Sequence, residues 1–101
     1  MNSRLELHTV LTTLLGQANV YFQPPPTVVM KYPCIVYALS NIETKYADDI
    51  IYKARKAYTA TVIDQNPDSD IPERFTALNY CRFDRFFTAD NLNHYVFAIY
   101  Y

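Results

Sequence analysis

The residue types able to do chemistry are few in this chain and stand far apart. There are two cysteines, Cys34 and Cys81, and two histidines, His8 and His94. A nucleophilic set can be drawn from either thiol with His94 as base and Asp84 as the group that orients it. Both cysteines, however, sit in strand-like runs beside apolar neighbours, where a thiol behaves as a small hydrophobe. Without a C-x-x-C pattern two cysteines make no disulfide framework. The expectation is two buried thiols in a reducing cytoplasm; a single Cys34–Cys81 bridge would require their strands to be neighbours. His8 has no second histidine one helical turn away, so it is expected at the surface or boundary of a helix and not as a metal ligand.

The carboxylates offer three pairs: Asp48 with Asp49, Asp68 with Asp70, and Asp84 with Asp90. The first two pairs fall in turn-like segments, where Asp serves local hydrogen bonding. Asp64, Asn66, Asp68 and Asp70 alternate as oxygen ligands do in a calcium loop, but the glycine and the bidentate glutamate of such a loop are missing. Arg82-Phe83-Asp84-Arg85-Phe86-Phe87 interleaves basic and aromatic residues as RNA-binding sheets do. Asp84 interrupts it, and the net charge of −1 lacks the basic surplus of a phosphate binder. The single glycine, Gly16, rules out glycine-rich phosphate loops. No catalytic residue, cofactor or metal is therefore expected, and the protein is not expected to be an enzyme.

The elements that carry these residues follow from spacing. The chain has 101 residues, half of them apolar (50%) and 19% charged, the composition of one globular domain. Ser3 and Glu6 form a capping box, Leu7, Val10, Leu11, Leu14 and Leu15 recur at helical spacing, and Gly16 stands where a helix ends. A helix over 3–15 is predicted. Residues 19–23 form a short extended apolar piece, and Pro24, Pro25 and Pro26 act as a stiff spacer. Residues 27–31 are expected to pair briefly as an edge strand. Strands are predicted over 34–41 and 58–64, then a short helix capped by Asp70 with Pro72 and Glu73 in its first turn, then strands over 81–87 and 94–101 joined by a hairpin loop at 88–93.

Between the first two strands, 41–56 holds the densest mixed charge in the chain. It is expected to be a long charged hairpin arm with Lys45, Asp48 and Asp49 at its tip and Lys53, Arg55 and Lys56 on the return. The predicted fold is α+β: a four-stranded, mainly antiparallel sheet, order helix-strand-strand-helix-strand-strand, with both helices on one face. The other face, with many of the ten tyrosines and six phenylalanines, would be left for another subunit. Tyr95 and Phe97 of the last strand join the arm residues as candidate interface positions. The apolar start of the chain is broken by Arg4, Glu6 and His8, so no signal peptide is expected, and no run approaches the ~20 apolar residues of a membrane span.

Several strings carry a family resemblance. They are Asn-Val-Tyr-Phe-Gln-Pro-Pro at 19–25, Met-Lys-Tyr-Pro-Cys-Ile-Val-Tyr at 30–37, the run from Tyr58 to Pro72, and Phe-Thr-Ala-Asp-Asn-Leu-Asn-His-Tyr-Val-Phe-Ala-Ile-Tyr-Tyr at 87–101. With the helical start they resemble the small tail-completion, or tail-terminator, proteins and head–tail connector components of long-tailed bacteriophages and prophages. The resemblance implies a subunit of a homo-oligomeric, typically hexameric, ring in the virion neck, assembled in the bacterial cytoplasm. It implies as partners the phage tail tube protein and a head-completion or connector protein, with DNA passing through the channel without specific binding. It implies no cofactor, no reaction and no membrane. The alternatives are a head-completion or adaptor ring of the same connector and, in another class, a small nucleic-acid-binding module using the Arg82–Arg85 strand.

Overall fold

The computed structural model describes the backbone of residues 4–25, 27, 29–47, 50–78 and 80–101, and the side chains of these except 43–47 and 50–55. Helix α1 spans Arg4–Leu15 and buries Leu7, Leu11 and Leu15 at four-residue intervals. Gly16 closes it at φ 77°, with its N–H on the Thr12 carbonyl at 2.9 Å, the left-handed ending that a residue without a Cβ adopts freely. Ser3 of the predicted capping box lies outside the described residues.

The sheet is five-stranded and mixed, in the order β1-β2-β3-β5-β4. The strands are β1 (Val20–Phe22), β2 (Cys34–Ala47), β3 (Ile50–Asp64), β4 (Cys81–Ala89) and β5 (Leu92–Tyr100). The α+β class and the antiparallel core of the sheet are as expected. The strand count is corrected, because the short apolar piece after α1 is itself a strand, and it pairs parallel to β2 from Val20↔Ile35 to Phe22↔Tyr37. It can be parallel because the proline-rich segment carries the chain back to the start of β2 before pairing begins. Gln23, at φ 44°, ends it: its N–H reaches the Tyr37 carbonyl and its Oε1 accepts from Leu39 N, after which Pro24 has no N–H to continue the ladder. This edge position was expected at 27–31, of which the described residues carry no strand.

β4 and β5 both run further toward their turn than predicted. Asp90 and Asn91 adopt φ 53° and 61°, the paired left-handed conformation of a tight hairpin turn that Asp and Asn tolerate in place of glycine. The ladder therefore closes to Ala89↔Leu92.

The second helix, α2 (Ile71–Arg74), continues as a 3-10 turn over Phe75–Ala77. Asp70 stands at its N-cap position but makes no cap bond with its side chain; Ser69 Oγ accepts from Ile71 N instead, and the Asp70 carboxylate pairs with Arg74 at 3.2 Å. Ile71 and Phe75 join the α1 leucines over one face of the sheet, against Ile35, Tyr37, Tyr58, Ala60, Val62, Phe97 and Ile99. Both helices thus lie on one face. The rings of Tyr37, Tyr58, Phe75 and Phe97 fill the space that the two short helices leave over that face.

Candidate functional site

β3 pairs with β5 only from Ala57↔Tyr100 to Asp64↔Asn93. Beyond Ala57 the β2–β3 ladder continues alone, from Ile42↔Lys56 to Ala47↔Ile50, as a two-stranded arm. The molecule is correspondingly long, 51 × 29 × 23 Å. A register shift between Leu39 and Asn41 marks the root, where Ser40 Oγ donates to the Ala57 carbonyl at 2.9 Å. A bulge of this kind bends a strand and strengthens its twist, so it sets the arm's departure from the body. Tyr101 N donates to the Lys56 carbonyl and seals the last strand onto the same point.

The register places the charged positions. Glu43 stands opposite Arg55, and Lys45 stands opposite Lys53. Lys45 is thus a ladder position and not the tip. Asp48 and Asp49 lie outside the described residues. Lys56 is half-buried at the root, opposite Ile42, which is 50% exposed.

The two sheet candidates part company. Phe97 is a core residue, 3% exposed, stacked on Phe75 at 4.5 Å and edge-on to Phe83 at 5.4 Å, and the single chain offers a partner none of its ring. Tyr95 is half-buried at the core margin beside Phe86, with its hydroxyl on the Pro67 carbonyl at 3.5 Å. The open face of the sheet is built instead from small and β-branched residues: Val36, Ala38, Thr59, Thr61, Val96 and Ala98 occupy its central rows. Alternation sends Tyr37, Tyr58 and Phe97 to the helices and leaves small residues at the centre of the second face, whose aromatics Tyr21, Phe87 and Tyr100 stand at its margins.

The most exposed aromatics are on β4. Phe83, Phe86 and Phe87 are 53%, 49% and 40% exposed. β4 is the outer strand of the sheet, bonded to β5 on one side. The basic and aromatic spacing of 82–87 was visible in the sequence; that this strand is a free edge was not, since β4 follows β3 in the chain but is separated from it by β5 in the sheet.

The scattered chemical groups stay scattered. Cys34 and Cys81 lie on β2 and β4, three strand spacings (roughly 14 Å) apart across the sheet and in different rows, since Cys81 shares its row with Leu39, so they are far beyond the reach of a disulfide. Cys34 and His94 share a row but with Ile63 of β3 between them, about 10 Å apart in backbone. Burial pushes both thiols up to about 11, helped at Cys34 by the Asp64 carboxylate, so neither is a thiolate near neutral pH. His94 stacks on Phe87 at 4.5 Å with Nδ1 near the Leu92 carbonyl. In the calcium-like stretch, Asp64 Oδ1 accepts from Asn66 N and Asn66 Oδ1 from Asp68 N, so these oxygens build successive Asx turns. Among the described residues no cluster of three or more His, Cys, Asp or Glu could hold a metal, and no helix is long and apolar enough to cross a membrane.

No protein-family model and no curated protein matches the chain.

Sequence reasoning missed the bond network at the α1–sheet contact. Tyr37 is 1% exposed, and its hydroxyl lies 2.7 Å from His8 Nδ1 and 3.3 Å from Arg4, whose guanidinium also sits 4.4 Å over the Phe22 ring. His8 at a helix boundary was the signal; its partner, 29 residues on, has no local mark. The network joins helix to sheet and serves the fold.

Proposed function

We propose that this protein is a structural subunit of the neck of a long-tailed phage, a tail-terminator protein whose ring ends the tail tube and presents the surface that docks to the head. The observation that carries this reading is the two-stranded arm projecting from a small two-layer body. A ribbon with mixed charge and no third strand has little use inside a monomer, whereas it can lie across a neighbouring subunit in a closed ring. The net charge of −1 suits a channel through which DNA slides without adhering. A buried Cys34, a half-buried Cys81, both protonated near neutral pH, and the scattered histidines are consistent with a protein that assembles and does no chemistry of its own.

Electron microscopy of the purified protein and of particles tests the reading. Sixfold rings at the head-proximal end of tails are the expected result. Rings seated on the portal would move the protein to the adaptor position of the same connector. A folded monomer that forms no ring with tail tube protein, and binds oligonucleotide with a steep salt dependence, would replace the neck reading by nucleic-acid binding through Arg82 and Arg85.

A further inference from the structure

The outer side of β4 meets no strand among the described residues. Arg82, Phe83, Asp84, Arg85, Phe86 and Phe87 are all exposed, and none of the three charges makes an ion pair among the described residues. A nine-residue edge with this much aromatic surface is a template for another strand. Natural edges are blunted by bulges and charges, and β4 has both, but arranged in a way that matches one particular partner.

The ladder with β5 steps from Phe83↔Phe97 to Arg85↔Val96, so Asp84 is the extra residue of a bulge. On the helix side of the sheet, Phe83 meets Phe97 and Phe86 meets Tyr95. Arg82 and Phe87 stand opposite Ala98 and His94, on the other side. The faces therefore repeat symmetrically outward from the Asp84–Arg85 peptide. Residues directly opposite in an antiparallel pair must share a face. A regular strand meets its own copy about a residue; the bulge shifts this strand's symmetry onto the bond between two residues.

We propose that β4 pairs antiparallel with β4 of a second copy of this chain, about a two-fold axis at the Asp84–Arg85 peptide. In that register Asp84 faces Arg85 of the second copy, Phe83 faces its Phe86, and Arg82 faces its Phe87, each contact occurring twice. Opposite charges, two aromatic pairs and two cation–π pairs coincide. Slipping the strands by one residue sets Asp84 against Asp84 or Arg85 against Arg85, and moving the axis by a whole residue sets Arg82 against Arg85 on one side or Asp84 against Phe87 on the other. The bulge and charges that repel a flat foreign strand are thus complementary to themselves. The contact closes at two copies and neither requires nor produces a ring, so it stands apart from the neck reading.

Light scattering after size exclusion, from micromolar to submillimolar protein, tests this. The wild type is expected to dimerise as concentration rises. Arg85→Asp sets carboxylates opposite each other on both sides of the axis and is expected to weaken the dimer roughly tenfold or more. Adding Asp84→Arg to Arg85→Asp swaps the charges and is expected to restore it to within about threefold. A wild type that stays monomeric throughout, a dimer indifferent to Arg85→Asp, or a swap that fails to restore it each overturns the proposal. Both side chains are exposed, and far-UV circular dichroism checks that the variants fold. Hydrogen exchange on the wild type needs no variant: β4 amides gain protection on concentration while β1 amides do not, and no gain on β4 overturns the pairing. Rings seen or not seen by microscopy leave each of these outcomes unchanged.

Discussion

Tyr37 is the residue on which the helix layer and the sheet depend together. Its ring lies among Phe22, Tyr58 and His8, and its hydroxyl is the partner of His8 and Arg4. Tyr37→Phe keeps the packing and leaves His8 and Arg4 without that oxygen, so a loss of about 1 kcal/mol in urea unfolding is expected, with no change of fold. Cys34 gives a test through pH. Its folded thiol is raised from 9.0 to about 11, so in that window the unfolded chain loses its proton first and folding loses stability as pH rises. Below pH 9 the contribution is fully present. Unfolding midpoints should fall between about pH 9 and pH 11, and Cys34→Ala should flatten that fall; an unchanged slope would remove Cys34 as its cause. That Cys34 would be buried was legible from its apolar neighbours. That Tyr37 would meet His8 was not, because nothing local couples residues on two elements.

At the scale of elements, the two helices are tied by one side chain. Arg74 donates to the Leu14 and Leu15 carbonyls at 2.8 and 3.3 Å, which the end of α1 leaves unpaired, and holds Asp70 within its own helix. Arg74→Ala should therefore destabilise by about 1 kcal/mol, modest because the guanidinium is partly in water, and should loosen amide protection in the last turn of α1. Equal protection in wild type and variant would show that water replaces Arg74 there without cost. The helices and the four longer strands were legible because they rest on periodicity and punctuation: leucines at helical spacing, Gly16, Pro72, alternating β-branched residues. From its sequence β1 is legible as extended, but not as a strand of the sheet. Three residues carry too little pattern, and its pairing depends on where the proline spacer delivers the chain.

At the scale of the whole molecule, the body, the arm and the free β4 edge offer separate surfaces. Reversal of Lys53, Arg55 and Lys56 to Glu is expected to abolish ring formation on tail tubes while leaving circular dichroism and the unfolding midpoint of the free protein within about 0.5 kcal/mol, since arm positions outside the core contribute little to folding. Normal tails made by that variant would take the arm out of assembly. The β4 dimer should persist in it, because the two surfaces share no residue.

The amino-acid sequence by itself determined the class of the fold, the places of both helices and the long strands, the charged ribbon between the first two long strands, and the lack of any motif for chemistry. These are local properties, set by spacing over a few residues. The tertiary structure alone decided that β5 lies between β3 and β4, that Tyr37, Tyr58 and Phe97 turn toward the helices and leave small residues at the centre of the second face, and that the basic and aromatic run at 82–87 is an open edge. Each of these follows from pairings between distant segments, where loop closure and the filling of one shared core choose among arrangements that local pattern leaves equal.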